Sequence, residues 1–108
     1  MRYLRFPYGG RNRANQELAA AWGYQSAFWD LDPKGWEPGK TPQDVVDYIR
    51  RLAHPGGIVI MHCSSWNDAT ALPEVIHLLR DRGLEPGRLS DVLTQEDSNV
   101  PGYALPGP

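Results

Sequence analysis

Apolar and polar positions alternate along this chain in two rhythms. Short continuous apolar runs predict strands, and apolar residues three or four apart predict helices. Residues 2–7 read as a short strand, with Leu4 to Phe6 as its buried end. Arg11 to Trp22 reads as a helix, with Asn12 as N-cap, Leu18 and Trp22 on one face and Gly23 as the stop. Tyr24 to Leu31, rich in aromatics, reads as a second strand. Asp32 to Lys40 holds two Pro and two Gly and reads as a loop. Thr41 then caps a second helix, with Pro42 at its first position, Asp44 in its first turn, and Val45, Ile49 and Leu52 as its apolar stripe. After a His54–Gly57 turn, Ile58 to Met61 is an apolar run of four, the pattern of a strand covered on both faces. Ser64 to Thr70 reads as a polar loop. A third helix is expected from Ala71 to Arg82, with Leu72, Val75, Ile76 and Leu79 inward and Gly83 as cap. Leu89 is expected to end a degraded strand, and Ser90 to cap a helical turn running through Leu93. Residues 95–108 are polar and then Pro/Gly-rich, the composition of a frayed tail.

This alternation of strand and helix predicts an α/β fold of parallel βα units. About three such units cannot close a barrel, so an open apolar sheet edge is expected. In parallel sheets chemistry sits where strands end. Three polar features fall there: the turn after Phe6, Asp32, and His62.

Bulk properties narrow the classes. The 108 residues allow one domain at most, and 41% hydrophobic with 22% charged residues is a globular balance rather than a disordered one. A net charge of -2 with no block of like charges argues against nucleic acid and against a polybasic membrane signal. The single cysteine excludes an internal disulfide. No apolar run approaches membrane-spanning length. No signal peptide is visible, because Met1 leads directly into a charged strand. The four Trp and five Tyr suit a surface that packs on sugar rings, and suit a plain core equally.

The opening stretch Leu4-Arg5-Phe6-Pro7-Tyr8-Gly9-Gly10 carries candidate chemistry. Pro7 fixes its own φ and keeps Phe6 extended, and the glycines permit a sharp turn. An Arg side chain and free backbone N–H groups would then converge on one point, which suits an anion or a developing oxyanion. Asp32 lies in Trp29-Asp30-Leu31-Asp32-Pro33-Lys34-Gly35-Trp36. It is either an acid beside a catalytic group or the start of an Asp-Pro turn. Asp30, two positions away, would share its strand face. His62 directly follows the Ile58–Met61 run, where a histidine can serve as a general acid. Histidines 54, 62 and 77 show no His-x-x-x-His spacing, so no metal site is expected from this chain alone.

Taken in order, the Arg-x-Pro-Tyr-Gly turn, the Asp-x-x-x-Trp stretch and the apolar strand ending in His resemble the last three motifs of the polysaccharide deacetylases, the NodB-homology family (carbohydrate esterase family 4). The resemblance covers roughly residues 2 to 94. The motifs that open that family, Thr-Phe-Asp-Asp-Gly and His-x-x-x-His, do not occur here. The resemblance therefore implies the C-terminal part of a deformed, NodB-like (β/α) barrel over residues 1–94, followed by a Pro/Gly-rich tail over 95–108.

It also implies roles for particular residues. His62 corresponds to the acid that protonates a departing amine, and Asp32 to the carboxylate that orients it, although Gly35 stands where the motif has its second Asp. Arg5 corresponds to the residue that holds the family's catalytic base. Tyr8, following Pro7, corresponds to the residue whose backbone N–H helps bind the oxyanion. Trp36 and Ile60 correspond to walls of the acetyl pocket. The complete enzymes use a divalent metal such as zinc to activate water, and remove N- or O-acetyl groups from polymers of the chitin or peptidoglycan class. They are often secreted or cell-envelope associated. The expected partners are a carbohydrate polymer and either a second copy of the chain or a separate N-terminal half. The alternative is a non-catalytic glycan- or protein-binding module, or a decayed gene product. A further competitor is the cysteine-phosphatase loop suggested by His62-Cys63-Ser64-Ser65. It fails because Trp66 and Ala69 stand where that loop needs Gly and Arg.

Overall fold

A computed structural model of the protein describes residues 2–93; the tail expected over 95–108 lies outside the described residues. The chain divides into two compact units, Met1–Asp30 with Arg88–Pro108, and Leu31–Gly87.

In the first unit, β1 (Arg2–Leu4) pairs in parallel with β2 (Tyr24–Ser26), in the register Arg2 to Tyr24 and Leu4 to Ser26. The Ala27 N–H donates to the Leu4 carbonyl at 2.8 Å and carries the pairing one step further. Both strands are shorter than the sequence pattern predicts. β1 ends at Leu4 because the chain turns at Pro7, and Leu4 is exposed rather than buried. Between the strands runs α1 (Arg13–Ala21). Asn12 caps it as expected: its side chain accepts from the Asn15 N–H at 2.8 Å, and the Asn15 side chain accepts from the Asn12 N–H at 2.8 Å. Gly23 ends it at φ 84, where a side chain would be strained. Leu18 and Trp22 share a face as predicted, but that face is exposed; the buried residue of α1 is Ala19. Leu89 belongs to a single helical turn, Leu89–Val92, and not to a strand; Arg88, not Ser90, is its N-cap.

In the second unit, α2 (Pro42–Leu52) packs on α3 (Trp66–Asp81). The N-terminus of α2 matches its pattern. Thr41 accepts from the Asp44 N–H at 3.2 Å, Asp44 accepts from the Thr41 N–H at 2.8 Å, and Pro42 opens the helix. Val45, Val46 and Ile49 are fully buried against Ala71, Val75 and Leu78 of α3. Burial of each such aliphatic side chain contributes roughly 1.5–3 kcal/mol, so this pair of helices is the stable body of the unit. Leu52, expected in the stripe, is exposed.

Two expectations are corrected here. The Ile58–Met61 run forms only an isolated parallel bridge, Leu31 to Val59, with Leu31 N–H to Ile58 O at 3.1 Å and Ile60 N–H to Leu31 O at 3.0 Å. Among the described residues it has a ladder partner on one side only, so its four residues stay half-buried instead of covered on both faces. The third helix begins at Trp66, not Ala71. Ser65 is its N-cap, accepting from the Asp68 N–H at 3.2 Å, and the expected polar loop is therefore its first turn. That phase turns Leu72 outward and Leu78 inward.

These parallel pairings and their flanking helices are α/β, as the alternation predicts, without a closed barrel among the described residues. No described helix is long and apolar enough to cross a membrane.

Candidate functional site

The first unit builds its turn on an aromatic platform. Pro7–Gly9 form one 3-10 turn, with Gly9 N–H to Phe6 O at 3.1 Å, Gly10 N–H to Pro7 O at 3.0 Å and Arg11 N–H to Gly9 O at 2.8 Å. Those bonds use the N–H groups after Tyr8. The N–H of Tyr8 itself has no hydrogen-bond partner among the described residues. Tyr8 adopts φ 57, ψ 19, the left-handed region that a non-glycine residue rarely occupies. Its side chain is fully exposed, so packing of the ring does not impose that conformation. The platform beneath is the stacked pair Phe28 and Trp29, with ring centroids 4.0 Å apart and 9° between planes. A Cβ at Gly9 would come within 3.0 Å of Trp29, so glycine is needed there for close approach as well as for its φ of 67. The Arg11 guanidinium lies 3.8 Å from the Phe28 centroid on a cation–π contact. Asn15 Nδ2 donates to Gly10 O at 3.0 Å and ties the turn to the start of α1. Pro7 and Arg5 are exposed, and no ion pair to Arg5 occurs among the described residues.

The second unit places Asp32 and His62 at the same end of the Leu31–Val59 parallel bridge, since each follows its bridge partner in a common chain direction. Their side chains are not hydrogen-bonded to each other. Asp32 Oδ1 accepts from the Lys34 N–H at 3.1 Å, the geometry of an Asx turn, and the Asp32 N–H donates to the Tyr48 hydroxyl at 3.0 Å. Lys34 pays for this tight turn with φ 52. Trp36 is 56% exposed beside this turn, and Ile60 is half-buried. Asp30 belongs to the other unit and is exposed.

Sequence reasoning missed the first turn of α3. Asn67 Nδ2 donates to both Gly35 O and Lys40 O at 2.8 Å, clamping the loop that carries Asp32 and Trp36. Asp68 is buried, and its Oδ2 accepts the His62 backbone N–H at 2.8 Å. The signal that marks both residues is Ser65-Trp66-Asn67-Asp68, a Ser with an acid three residues on, which is the sequence mark of a capped helix start.

Among the described residues no three His, Cys, Asp or Glu side chains converge as metal ligands. The described residues therefore do not build a site for the divalent metal that the resemblance implies. Cys63 is exposed and free.

Parallel βα units with polar turns at their ends define the class of α/β proteins that house their chemistry at strand ends. Comparison narrows this class. No family model matches the chain. The peptidoglycan-N-acetylmuramic acid deacetylase PdaA of Bacillus subtilis is 28% identical over 101 residues, covering 92% of this chain and 38% of PdaA. PdaC of the same organism, also a peptidoglycan-N-acetylmuramic acid deacetylase, is 32% identical over 82 residues, covering 76% of this chain and 17% of PdaC. Among solved structures, a family 4 carbohydrate esterase from Streptomyces lividans in complex with acetate superposes with a TM-score of 0.71 at 26% identity, over 82% of this chain and 45% of that one. A mutant of BA3943, a family 4 pseudoenzyme with restored activity, superposes with a TM-score of 0.79 at 26% identity, over 88% and 34%. These curated relatives and solved structures are deacetylases and esterases of carbohydrate esterase family 4, and each match covers most of this chain. The chain spans less than half the length of the curated relatives it matches.

Proposed function

We propose that this chain supplies the acid side of a polysaccharide deacetylase site, acting on acetylated amino-sugar polymers of the peptidoglycan or chitin class. The observation that carries the reading is the end of the Leu31–Val59 bridge, where His62 emerges beside a loop clamped by Asn67 and presenting Trp36. An imidazole at a strand end has the chemistry to give a proton to a leaving amine nitrogen. Trp36 offers an exposed ring on which a sugar or acetyl group can pack, and Ile60 adds an apolar wall that selects by size. Asp32 is assigned to orient His62, with its Oδ1 committed to Lys34 and its second oxygen left for that task. In the other unit, the unbonded N–H of Tyr8 is assigned as an oxyanion donor. Pro7 sets that turn, and Arg5 is the cation that holds a carboxylate base supplied from elsewhere. Names of relatives support the substrate class: peptidoglycan-N-acetylmuramic acid deacetylases and a chitooligosaccharide deacetylase of Sinorhizobium fredii. The metal and the base of the complete site are assigned to no residue of this chain.

A second reading, a glycan-binding module without turnover, is favoured by the likeness to the BA3943 pseudoenzyme. One experiment tests both. The 108-residue chain is titrated with acetylated chito-oligosaccharide while the Trp36 and His62 resonances are followed by NMR, and acetate release is assayed with added zinc or cobalt. The expected result is a shift of both resonances with no acetate released. Metal-dependent turnover that His62→Ala abolishes would show ligands and a base within this chain. Unmoved resonances at saturating oligosaccharide would remove both readings.

A further inference from the structure

The carboxylate of Asp68 lies deep in the second unit, with the residue 3% exposed. Oδ2 takes the His62 N–H at 2.8 Å. Oδ1 is buried and has no hydrogen-bond partner among the described residues. A buried polar oxygen without a partner is costly, so its placement calls for a reason. That oxygen fills the space where a side chain at residue 35 would begin. A Cβ at Gly35 would overlap Asp68 Oδ1 and come within 2.8 Å of Val45 Cγ2. Gly35 is not among the residues with positive φ, so its missing side chain is a demand of space and not of backbone conformation. Meanwhile the loop's own acid, Asp32, has Oδ1 committed to the Lys34 N–H.

We propose that Asp68 is a positioning residue for His62, holding its main chain from the first turn of α3 across the space that Gly35 leaves in the Asp32–Trp36 loop, while Asp32 keeps the task of orienting the ring. Sequence and structure converge on this exchange. The loop lacks a side chain at position 35, and a helix 33 residues later delivers a carboxylate to the same place, bonded to the residue that the loop faces. Asn67, the preceding residue, holds the Gly35 and Lys40 carbonyls, so one helical turn fixes the loop and the His62 main chain together. Asp68 touches no substrate in this account and acts only through His62. The inference rests on the reading of His62 as the acid.

The test uses the whole chain without substrate. Asp68→Asn keeps the size of the side chain and removes its charge. The His62 amide proton, released from a charge-assisted bond, is expected to move upfield, and the His62 ring resonances are expected to shift while those of His54 and His77 stay. Gly35→Asp added to Asp68→Ala, which opens the space that Asn would still fill, is expected to return the His62 ring resonances toward their original positions, a rescue that a purely structural Asp68 would not show. Gly35→Ala is expected to lower Tm by at least ~5 °C in the parent chain, the scale of overpacking in a domain of this size, and by clearly less when Asp68 is also Ala. Unmoved His62 signals in Asp68→Asn, or an equal Tm loss for Gly35→Ala in both backgrounds, would overturn the proposal. Should Asp68→Asn not fold, Gly35→Ala carries the test, because it displaces the carboxylate without deleting it; an unmoved His62 amide then refutes the idea. Because no oligosaccharide is present, failure here is distinct from failure of the glycan titration.

Discussion

Ile49 sits at 0% exposure in the middle of α2, enclosed by Val45, Val46, Ala71, Val75 and Leu78. Ile49→Ala removes three carbons from that enclosure. At ~0.8 kcal/mol for each buried methylene equivalent the transfer loss is about 2.4 kcal/mol. The two helices lining the gap cannot close over it fully, so a cavity cost adds to this, and the total is expected at roughly 3–4 kcal/mol. The control is Trp22→Ala. Trp22 is a larger residue, but it is 76% exposed on α1, and its removal is expected to cost about 0.5 kcal/mol or less. Urea unfolding followed by far-UV circular dichroism measures both. With a slope of about 1.5 kcal/mol/M, Ile49→Ala shifts the midpoint down by about 2 M and Trp22→Ala leaves it nearly in place. A loss under about 1 kcal/mol for Ile49→Ala, or an equal loss for the two variants, would refute the assignment of α2 and α3 as the stabilising body.

Two further outcomes are expected. Asp44 is held below its ordinary value of 3.8 chiefly by the Thr41 backbone N–H, then by the Thr41 hydroxyl. Its folded value is the lower one, so its contribution to stability is complete above 3.8 and is lost as pH falls through the folded value; acid unfolding of Asp44→Asn should therefore be less steep in that range, and an unchanged acid limb would refute the linkage. Within the described residues β1 pairs only with β2 and keeps Leu4 exposed, so light scattering at micromolar concentration is expected to give a mass above that of the monomer, and a cooperative monomer would show the edge to be covered.

Helix starts were the most legible part of the fold. Asn12 and Thr41 announce their helices because a side chain that accepts a backbone N–H is a local device, complete within four residues. One exception, α3, was obscured by its own first turn, because the polar stretch from Ser64 to Thr70 reads as a loop. The Ser65 cap lies six residues before the expected start at Ala71. Strand lengths were poorly legible, because a ladder depends on neighbours distant in sequence. Nothing local in Ile58–Met61 reports that Val59 alone finds a bridge. At the candidate site, Asp32, Trp36 and His62 stood out by residue type and position. Asp68 did not, because its significance comes from an empty space at Gly35, and an absent side chain leaves no mark until the chain is folded around it.

The left-handed backbone of Tyr8 has a consequence for anyone who tries to improve this protein. Its ring projects into water, and its φ of 57 is one that glycine or asparagine adopts at lower cost. A screen that rewards melting temperature alone should thus drift toward Tyr8→Gly or Tyr8→Asn. Such a screen would trade away an aromatic ring at the mouth of a turn while recording only a gain. Melting temperature reports nothing of what that exposed ring contacts, so a library built on this chain needs a binding step beside the heating step.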